Sequence, residues 1–127
     1  MPSIEYIKEL NSFYQEMRRH PLPASAQLLW YKLMAEANIR FWPEWMLISN
    51  DQLAAILGGS SSSARIARDD LSRAGYLVYN KGDKYRSSKY HVVTAEERET
   101  GIIPALEAEE NQDDKFDQNK EREENNG

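Results

Sequence analysis

A pair of glycines between two short helical segments is the feature that most restricts how this chain folds. Gly58-Gly59 follows a segment whose apolar residues share one helical face, and glycine closes a helix in a left-handed conformation without steric cost. Ser60 comes next and is a favourable N-cap for a second helix, which ends at Gly75. Two helices joined by so short a turn predict a helix-turn-helix.

The second of these helices has a small apolar row and a polar row. Helical spacing places Ala64, Ala67, Leu71 and Ala74 on the inner face, where alanines allow a close approach to neighbouring helices. The outward face then carries Ser61, Ser62, Arg65, Ile66, Asp69 and Arg73.

A β-hairpin with a basic loop follows at once. Residues 76 to 79 and 89 to 93 have the composition of strands. The polar segment between them, from about residue 80 to residue 88, is turn-like and forms the predicted tip of the hairpin. A hairpin directly after the second helix is the wing of a winged helix.

The segments upstream complete the predicted fold. Hydrophobic spacing predicts helices over residues 3 to 20 and 23 to 41, and residues 46 to 48 read as a short strand. Ser49 and Gln52 have the spacing of a capping box. The predicted fold class is mainly α with a small antiparallel β-sheet, a winged helix-turn-helix with an N-terminal helical extension.

Charge divides the chain into two unequal parts. Residues 1 to 94 carry 12 basic and 9 acidic side chains, a net charge of +3, whereas residues 95 to 127 carry 4 basic and 12 acidic ones, a net charge of −8. Hydrophobic periodicity also ends near Thr94, and so polar a segment cannot offset its ordering entropy by burial. We predict an N-terminal helix over residues 1 to 21, a winged helix-turn-helix over residues 22 to 94, and a disordered acidic tail over residues 95 to 127.

The basic residues of the second helix and the hairpin indicate double-stranded DNA as the partner. An arginine near the start of a helix in the major groove bonds guanine edges bidentately, and lysines on a wing suit phosphates. Serine hydroxyls and N–H groups at a helix N-terminus also bind phosphate. The candidate DNA-binding residues are Ser60, Ser61, Ser62, Arg65, Arg68, Arg73, Lys81, Lys84, Arg86 and Lys89.

Ion pairs within the helix are the alternative explanation of these arginines. Opposite charges four residues apart lie together on a helix surface. This spacing relates Arg65 to Asp69 and Asp69 to Arg73. In that case the winged helix serves protein docking or oligomerisation, with little affinity for DNA.

Two stretches of the sequence carry a family resemblance. The first is AQLLWYKLMAEANIRFWPEWMLISNDQLAAILG, with its Trp-Pro-Glu-Trp turn, and the second is SSSSARIARDDLSRAGYLVYNKG, with Ala67-Arg68, Leu71 and Gly75. Over residues 22 to 93 the chain resembles the winged-helix domain of replication-initiation proteins from phages and prophages of Gram-positive bacteria, the replisome-organiser or DnaD-like group.

This resemblance implies DNA binding in the initiation of phage, prophage or plasmid-type replication, with host helicase-loading proteins as further partners. A transcriptional regulator on the same fold is the alternative. The chain departs from the family at Ser61 and Ile66, where such proteins often carry basic residues. Their second, helical domain has no counterpart in this sequence.

Other classes of function find no support in the sequence. It contains no Cys, so disulfides and Cys-based zinc sites are excluded, and His20 and His91 stand apart from other ligand-type residues. No catalytic residue, metal site or cofactor is expected, and the protein is not expected to be an enzyme. Charged residues run through the N-terminal segment, and no stretch approaches the roughly 20 apolar residues that span a bilayer. A cytoplasmic protein without membrane contact is expected.

The N-terminal helix leaves the oligomeric state open. Its predicted apolar stripe consists of Ile4, Ile7, Leu10, Tyr14 and Met17, with Tyr6 and Phe13 beside it. Packed on its own domain, this helix is only an extension. Exchanged with a second copy, it gives a homo-oligomer, such as a dimer that binds two half-sites.

Overall fold

The computed structural model describes residues 5–82 and 87–104. These residues form one three-stranded antiparallel sheet in the order β1-β3-β2, and the rest of the secondary structure is helical. The predicted fold class, mainly helical with a small antiparallel sheet in a winged-helix arrangement, is confirmed. The elements are α1 (Tyr6–Arg19), α2 (Ala24–Ile39), β1 (Met46–Ile48), α3 (Asn50–Leu57), α4 (Ser61–Arg73), β2 (Leu77–Asn80), β3 (Ser88–Val92) and α5 (Ala95–Thr100).

Capping residues set the ends of the two helices in the helix-turn-helix. The Ser49 hydroxyl accepts the Gln52 N–H, and the Gln52 side chain accepts the Ser49 N–H, so the predicted capping box is confirmed. Helix α3 ends at Gly58, which has a φ of +85°. The hydroxyl of Ser60 caps α4, which ends just before Gly75 at a φ of +89°.

Helix α2 is the centre of the core, as its apolar composition predicts. Leu29, Trp30 and Leu33 are at most 1% exposed. Phe13 of α1 stacks on Trp30 with the ring centroids 3.8 Å apart and the planes 5° from parallel. Helices α3 and α4 both pack against α2. The aromatic stack therefore ties the N-terminal extension to the helix that supports the helix-turn-helix.

The buried face of α1 differs from the predicted stripe. Phe13 and Met17 are buried and Leu10 packs against the core, whereas Ile7 is 69% exposed and Tyr14 is 56% exposed. The stripe predicted through Ile7 and Tyr14 is wrong because the flat stack on α2 fixes the rotation of the helix about its axis. Residues 1–4, which include the start of the predicted helix, lie outside the described residues.

A strained turn connects α2 to β1. The helix ends at Ile39, before the predicted end near Phe41. Phe41 and Trp42 have φ values of 64° and 57°, a left-handed conformation that costs a residue with a side chain about 1–2 kcal/mol. The Trp42 N–H donates to the Ala37 carbonyl at 2.8 Å, and its ring packs edge-on against Tyr6 with centroids 5.5 Å apart. These contacts hold the turn in place.

A side chain occupies one backbone carbonyl at the outer edge of the sheet, on β1. Arg40 Nη1 donates to the backbone carbonyl of Leu47, the middle residue of this edge strand, at 3.0 Å. Arg40 Nε donates to Glu36 Oε2 at 2.9 Å, which holds the guanidinium in position.

A short helix, α5, lies in the segment predicted to be a disordered tail. The Thr94 hydroxyl accepts the Glu97 N–H, and the Glu97 carboxylate accepts the Thr94 N–H. A second capping box therefore starts this helix. The Ala95 N–H donates to Glu9 Oε1 of α1 at 3.0 Å. The predicted boundary at residue 94 is therefore wrong for residues 95–104, because polar contacts rather than an apolar stripe fix this helix. Residues 105–127 lie outside the described residues.

Two further contacts join α5 to the domain. Arg98 Nη1 donates to the Val93 carbonyl at 3.1 Å, and its guanidinium carbon lies 4.4 Å from the centre of the Tyr76 ring. The His91 ring spans from the Glu44 carbonyl, 2.7 Å from Nδ1, to Glu97 Oε1, 2.8 Å from Nε2. Helix α5 thus contacts His91 of β3, which in turn contacts the turn that precedes β1.

Candidate nucleic-acid interface

One side of α4 faces away from the core. Ala64 and Ala67 on its inner side are 1% exposed, and the helix packs closely on α2 and α3. Ala74, predicted on the inner row, is exposed because it is the C-cap beyond the last turn. Ile66 is 63% exposed on the opposite side. We refer to the exposed residues Ser62, Arg65, Ile66 and Arg73 as the outer face of α4.

The N-terminus of α4 presents serines and backbone N–H groups. The Ser60 hydroxyl is engaged as the cap: it accepts the Ser63 N–H at 3.0 Å and lies 2.9 Å from the Ser63 hydroxyl. Ser61 is half-buried and Ser62 is exposed. The first N–H groups of an α-helix have no acceptor within the helix, and the helix dipole favours an anion there. This end of α4 therefore suits a phosphate group.

Arg65 is exposed in the first turns of α4. Among the residues that the structure describes, it forms no hydrogen bond or ion pair. Its i,i+4 neighbour Asp69 instead accepts hydrogen bonds from Arg68 Nε and from the Tyr79 hydroxyl, each at 3.1 Å. The alternative pairing of Arg65 with Asp69 is therefore not formed.

Arg68, a candidate DNA-binding residue in the sequence, is buried. Its residue surface is 6% exposed, and its guanidinium carbon lies 4.3 Å from the centre of the Tyr79 ring on β2. The ion pair with Asp69 neutralises it within the protein. The structure thus corrects its predicted role, because it turns the side chain towards the sheet rather than towards solvent. Arg68 instead fastens the wing to α4.

The groups around Arg68 perturb one another's ionisation. Burial opposes the charge of Arg68, but the Tyr90 phenol and the Asp69 carboxylate outweigh it, so the pKa of Arg68 is raised. Burial acts to raise the pKa of Asp69, but hydrogen bonds from Arg68 and Tyr79 lower this pKa below its usual range. Burial also raises the pKa values of Tyr79 and Tyr90. The cluster is therefore one ion pair flanked by two neutral phenols.

Sequence reasoning missed the part played by Tyr79 and Tyr90. The two residues are paired across the hairpin, on neighbouring strands, with ring centroids 5.6 Å apart. The sequence did contain a signal for this role, since it places one aromatic residue on each of the two predicted strands of the hairpin. Aromatic residues paired across two strands form one surface on which a cation can stack. That surface lies under α4 and takes Arg68.

Arg73 lies in the last turn of α4, and its side chain is 72% exposed. It forms an ion pair with Asp70, three residues earlier, rather than with Asp69 as the sequence alternative proposed. Part of its charge is thereby offset. The outer face of α4 is thus more strongly basic at its beginning than at its end.

The wing contributes two basic residues that the structure describes. Lys81 is exposed just after β2. Lys89 is half-buried on β3, in register with Asn80. Lys84 and Arg86, predicted at the tip, lie outside the described residues. Ser62, Arg65 and Lys81 are therefore exposed polar groups on α4 and the wing, whereas Arg68 is buried.

The described residues include neither a metal-binding cluster nor a membrane-spanning helix. Within that part of the chain, no group of three His, Cys, Asp or Glu side chains is placed to hold a metal ion. His91 is engaged in the contacts between β3 and its neighbours. None of the helices described is long and apolar enough to cross a membrane.

The fold has a distant similarity to a solved structure described as the N-terminal domain of a DNA binding protein. The sequence identity is 17% and the TM-score is 0.49, over 65% of this chain and 77% of that chain. No protein-family model matches the sequence, and no curated protein matches it. The resemblance to DnaD-like proteins therefore stays a prediction.

Proposed function

We propose that this protein binds duplex DNA, with α4 in the major groove and the β2–β3 wing against the backbone. The observation that carries the proposal is the exposed Arg65. It lies near the start of the second helix of a helix-turn-helix, and its acidic neighbour Asp69 is held by Arg68 and Tyr79. An arginine so placed is suited to bond O6 and N7 of guanine. We propose a binding role and not a catalytic one.

Phosphate contacts support the same orientation. The N-terminus of α4 offers backbone N–H groups and the exposed Ser62 hydroxyl, and Lys81 lies at the start of the wing loop. Such contacts position a protein on DNA without reading its sequence. Because each neutralised phosphate releases condensed counterions, the affinity falls as salt rises.

A titration with fluorescent duplexes tests the proposal. We expect the full chain to bind at low salt and to bind more weakly at higher salt. Arg65→Ala is expected to cost about 1–3 kcal/mol on a preferred site and less on random DNA. The matched control is Arg18→Ala, which removes the same charge from an exposed position on α1; it is expected to change binding little.

The docking alternative makes the opposite prediction. If the full chain binds no duplex even at low salt, the DNA proposal fails. A winged helix that serves protein contacts alone then takes its place. If Arg65→Ala and Arg18→Ala lose the same affinity for duplex DNA, binding depends on the overall charge and not on the position of Arg65.

The resemblance supports a finer proposal, a role in starting phage, prophage or plasmid-type replication, with host helicase-loading proteins as partners. Binding should then be tighter to origin-derived duplexes than to shuffled duplexes of the same composition. A preference for promoter duplexes instead would favour a transcriptional regulator on the same fold.

An exposed pair on α1 supports self-association as a second candidate function. Ile7 and Tyr14 are two helical turns apart and both more than half exposed. Changing both to lysine is expected to lower the sedimentation coefficient of any oligomer. The control is the same change at Asn11 and Gln15, which are exposed polar residues of the same helix. A parent chain that sediments as a monomer at high concentration would rule this candidate out.

A further inference from the structure

Ile66 is an aliphatic residue at the centre of the outer face of α4. It is 63% exposed, although every other apolar residue of this fully described helix is buried. Exposed isoleucines are common on protein surfaces and by themselves mean nothing. The position of this one matters, because it follows Arg65 directly and lies one turn after Ser62.

The geometry of the helix places Ile66 against bases if Arg65 contacts a base. Residues four apart on a helix have Cβ atoms about 5–6 Å apart, and helical side chains lean towards the N-terminus. Ile66 therefore covers the turn that contains Ser62. The Cα atoms of Arg65 and Ile66 are one residue apart, about 3.8 Å, and successive bases of one strand are about 3.4 Å apart. A helix that presents Arg65 to one base pair therefore holds Ile66 within reach of a neighbouring one.

The chemistry of the groove restricts what an isoleucine accepts there. Thymine is the base that presents an apolar group, its 5-methyl, in the major groove, whereas the other edges present donors and acceptors. Isoleucine has no polar atom in its side chain. Packed against guanine, adenine or cytosine, it would displace water without replacing the lost hydrogen bonds.

We propose that Ile66 is a specificity-determining residue that selects a thymine, through its 5-methyl group, next to the base pair that Arg65 contacts. This inference rests on the proposed DNA binding and names what the same surface reads.

Removal of single methyl groups from the DNA tests the inference. A preferred duplex is first selected from a randomised pool by the full chain, and each thymine is then replaced in turn by uracil, which lacks the 5-methyl group. We expect one position at which uracil weakens binding about three- to fivefold, the effect of losing one buried methyl. Ile66→Ala should bind the thymine duplex about as weakly and show no further loss with uracil at that position.

The matched control is Ile39→Ala, the same substitution at an isoleucine that is 71% exposed at the end of α2. It should keep the full sensitivity to uracil. Both variants should melt like the parent, because alanine favours a helix and neither side chain is buried.

Three outcomes overturn the inference. The first is that replacing thymine by uracil changes the affinity of the parent chain at no position. The second is that Ile66→Ala loses as much affinity with uracil as the parent does. The third is that Ile39→Ala no longer loses affinity with uracil. In each case duplex binding that depends on Arg65 would still stand, so only the role of Ile66 is lost. If no duplex is selected at all, the proposed function and this inference fail together.

Discussion

The acidic residues of α4 and those on the surface between α1 and α5 have different surroundings. On α4, Asp69 and Asp70 are each held by an arginine of the same helix, so their charges are offset. Between α1 and α5, five glutamates lie along one groove, in which Lys8 is the one basic side chain among the described residues. The glutamates of that groove are Glu5, Glu9, Glu96, Glu97 and Glu99.

This difference shows why the net charge of −5 is a poor guide to what the protein binds. A polyanion approaching the molecule responds to the local field, and that field changes sign between the two surfaces. The acidic groove repels a duplex while Arg65 and Lys81 attract it. Under the proposed function, DNA approaches through α4 and the wing rather than through the acidic groove.

The largest expected effect comes from removing the residue that holds Asp69 in place. Arg68→Ala leaves a partly buried carboxylate and two stacked tyrosines without their cation, so unfolding should become easier by about 3 kcal/mol. The freed Asp69 is also able to pair with Arg65, which should weaken DNA binding. Urea denaturation measures the first effect, with Arg73→Ala as the exposed control, expected to change stability by less than about 0.5 kcal/mol. Equal effects of the two substitutions would mean that the cluster does not hold the wing.

The next largest effect concerns the acidic surface. A chain ending at residue 94 loses α5, its capping box and the stacking of Arg98 on Tyr76. Compared with a chain ending at residue 104, it should lose about 1–2 kcal/mol and melt several degrees lower. Calorimetry on the two truncations checks this. If the two truncated chains melt at the same temperature, α5 does not stabilise the domain.

A smaller effect should appear as a dependence on pH. The pKa of Asp69 is lower in the folded protein than in the unfolded chain, so its charge stabilises the fold at neutral pH. That contribution is present above the unfolded pKa and is lost as pH falls through the folded value. Asp69→Asn should therefore be destabilising at pH 7, by about 1 kcal/mol or less since the side chain is 43% exposed, and less so near pH 3. A constant difference across this range would show that the carboxylate charge is unimportant.

The smallest effect is expected from the chain beyond the described residues. Residues 105 to 127 carry 9 acidic and 3 basic side chains, a net charge of −6. Their removal should leave DNA affinity unchanged or raise it slightly, and more at low salt than at high salt, because salt screens exposed charges. An affinity that falls on truncation would show that this segment contacts DNA or supports the interface.

Local signals were enough to predict the fold. Glycine ends a helix in a left-handed conformation, as Gly58 and Gly75 do here, and a capping box starts a helix, as the one at Ser49 does. These signals have the same effect in any protein. The two strands of the wing were likewise visible from composition. Such features act within a few residues, and a sequence displays them directly.

The errors fall where tertiary packing decides between neighbours. Arg65 and Arg68 are one turn apart, but Arg68 is also one turn from the buried Ala64 and Leu71, and the tyrosines under α4 receive its guanidinium. Phe13 and Tyr14 present the same problem on α1, where the stack on Trp30 decides. Helix α5 was missed because its contacts join residues far apart in the chain and leave no hydrophobic period.

The bond from Arg40 to the Leu47 carbonyl has a consequence for how the protein behaves at high concentration. An edge strand with open backbone groups is a template on which another chain adds a strand, the first step of aggregation. Strand β1 is only three residues long, and the carbonyl at its middle is taken by a bulky cation. A second chain would have to displace this guanidinium from Glu36 as well before it could pair there. The same arginine that ends α2 therefore hinders strand addition at the β1 edge of the sheet.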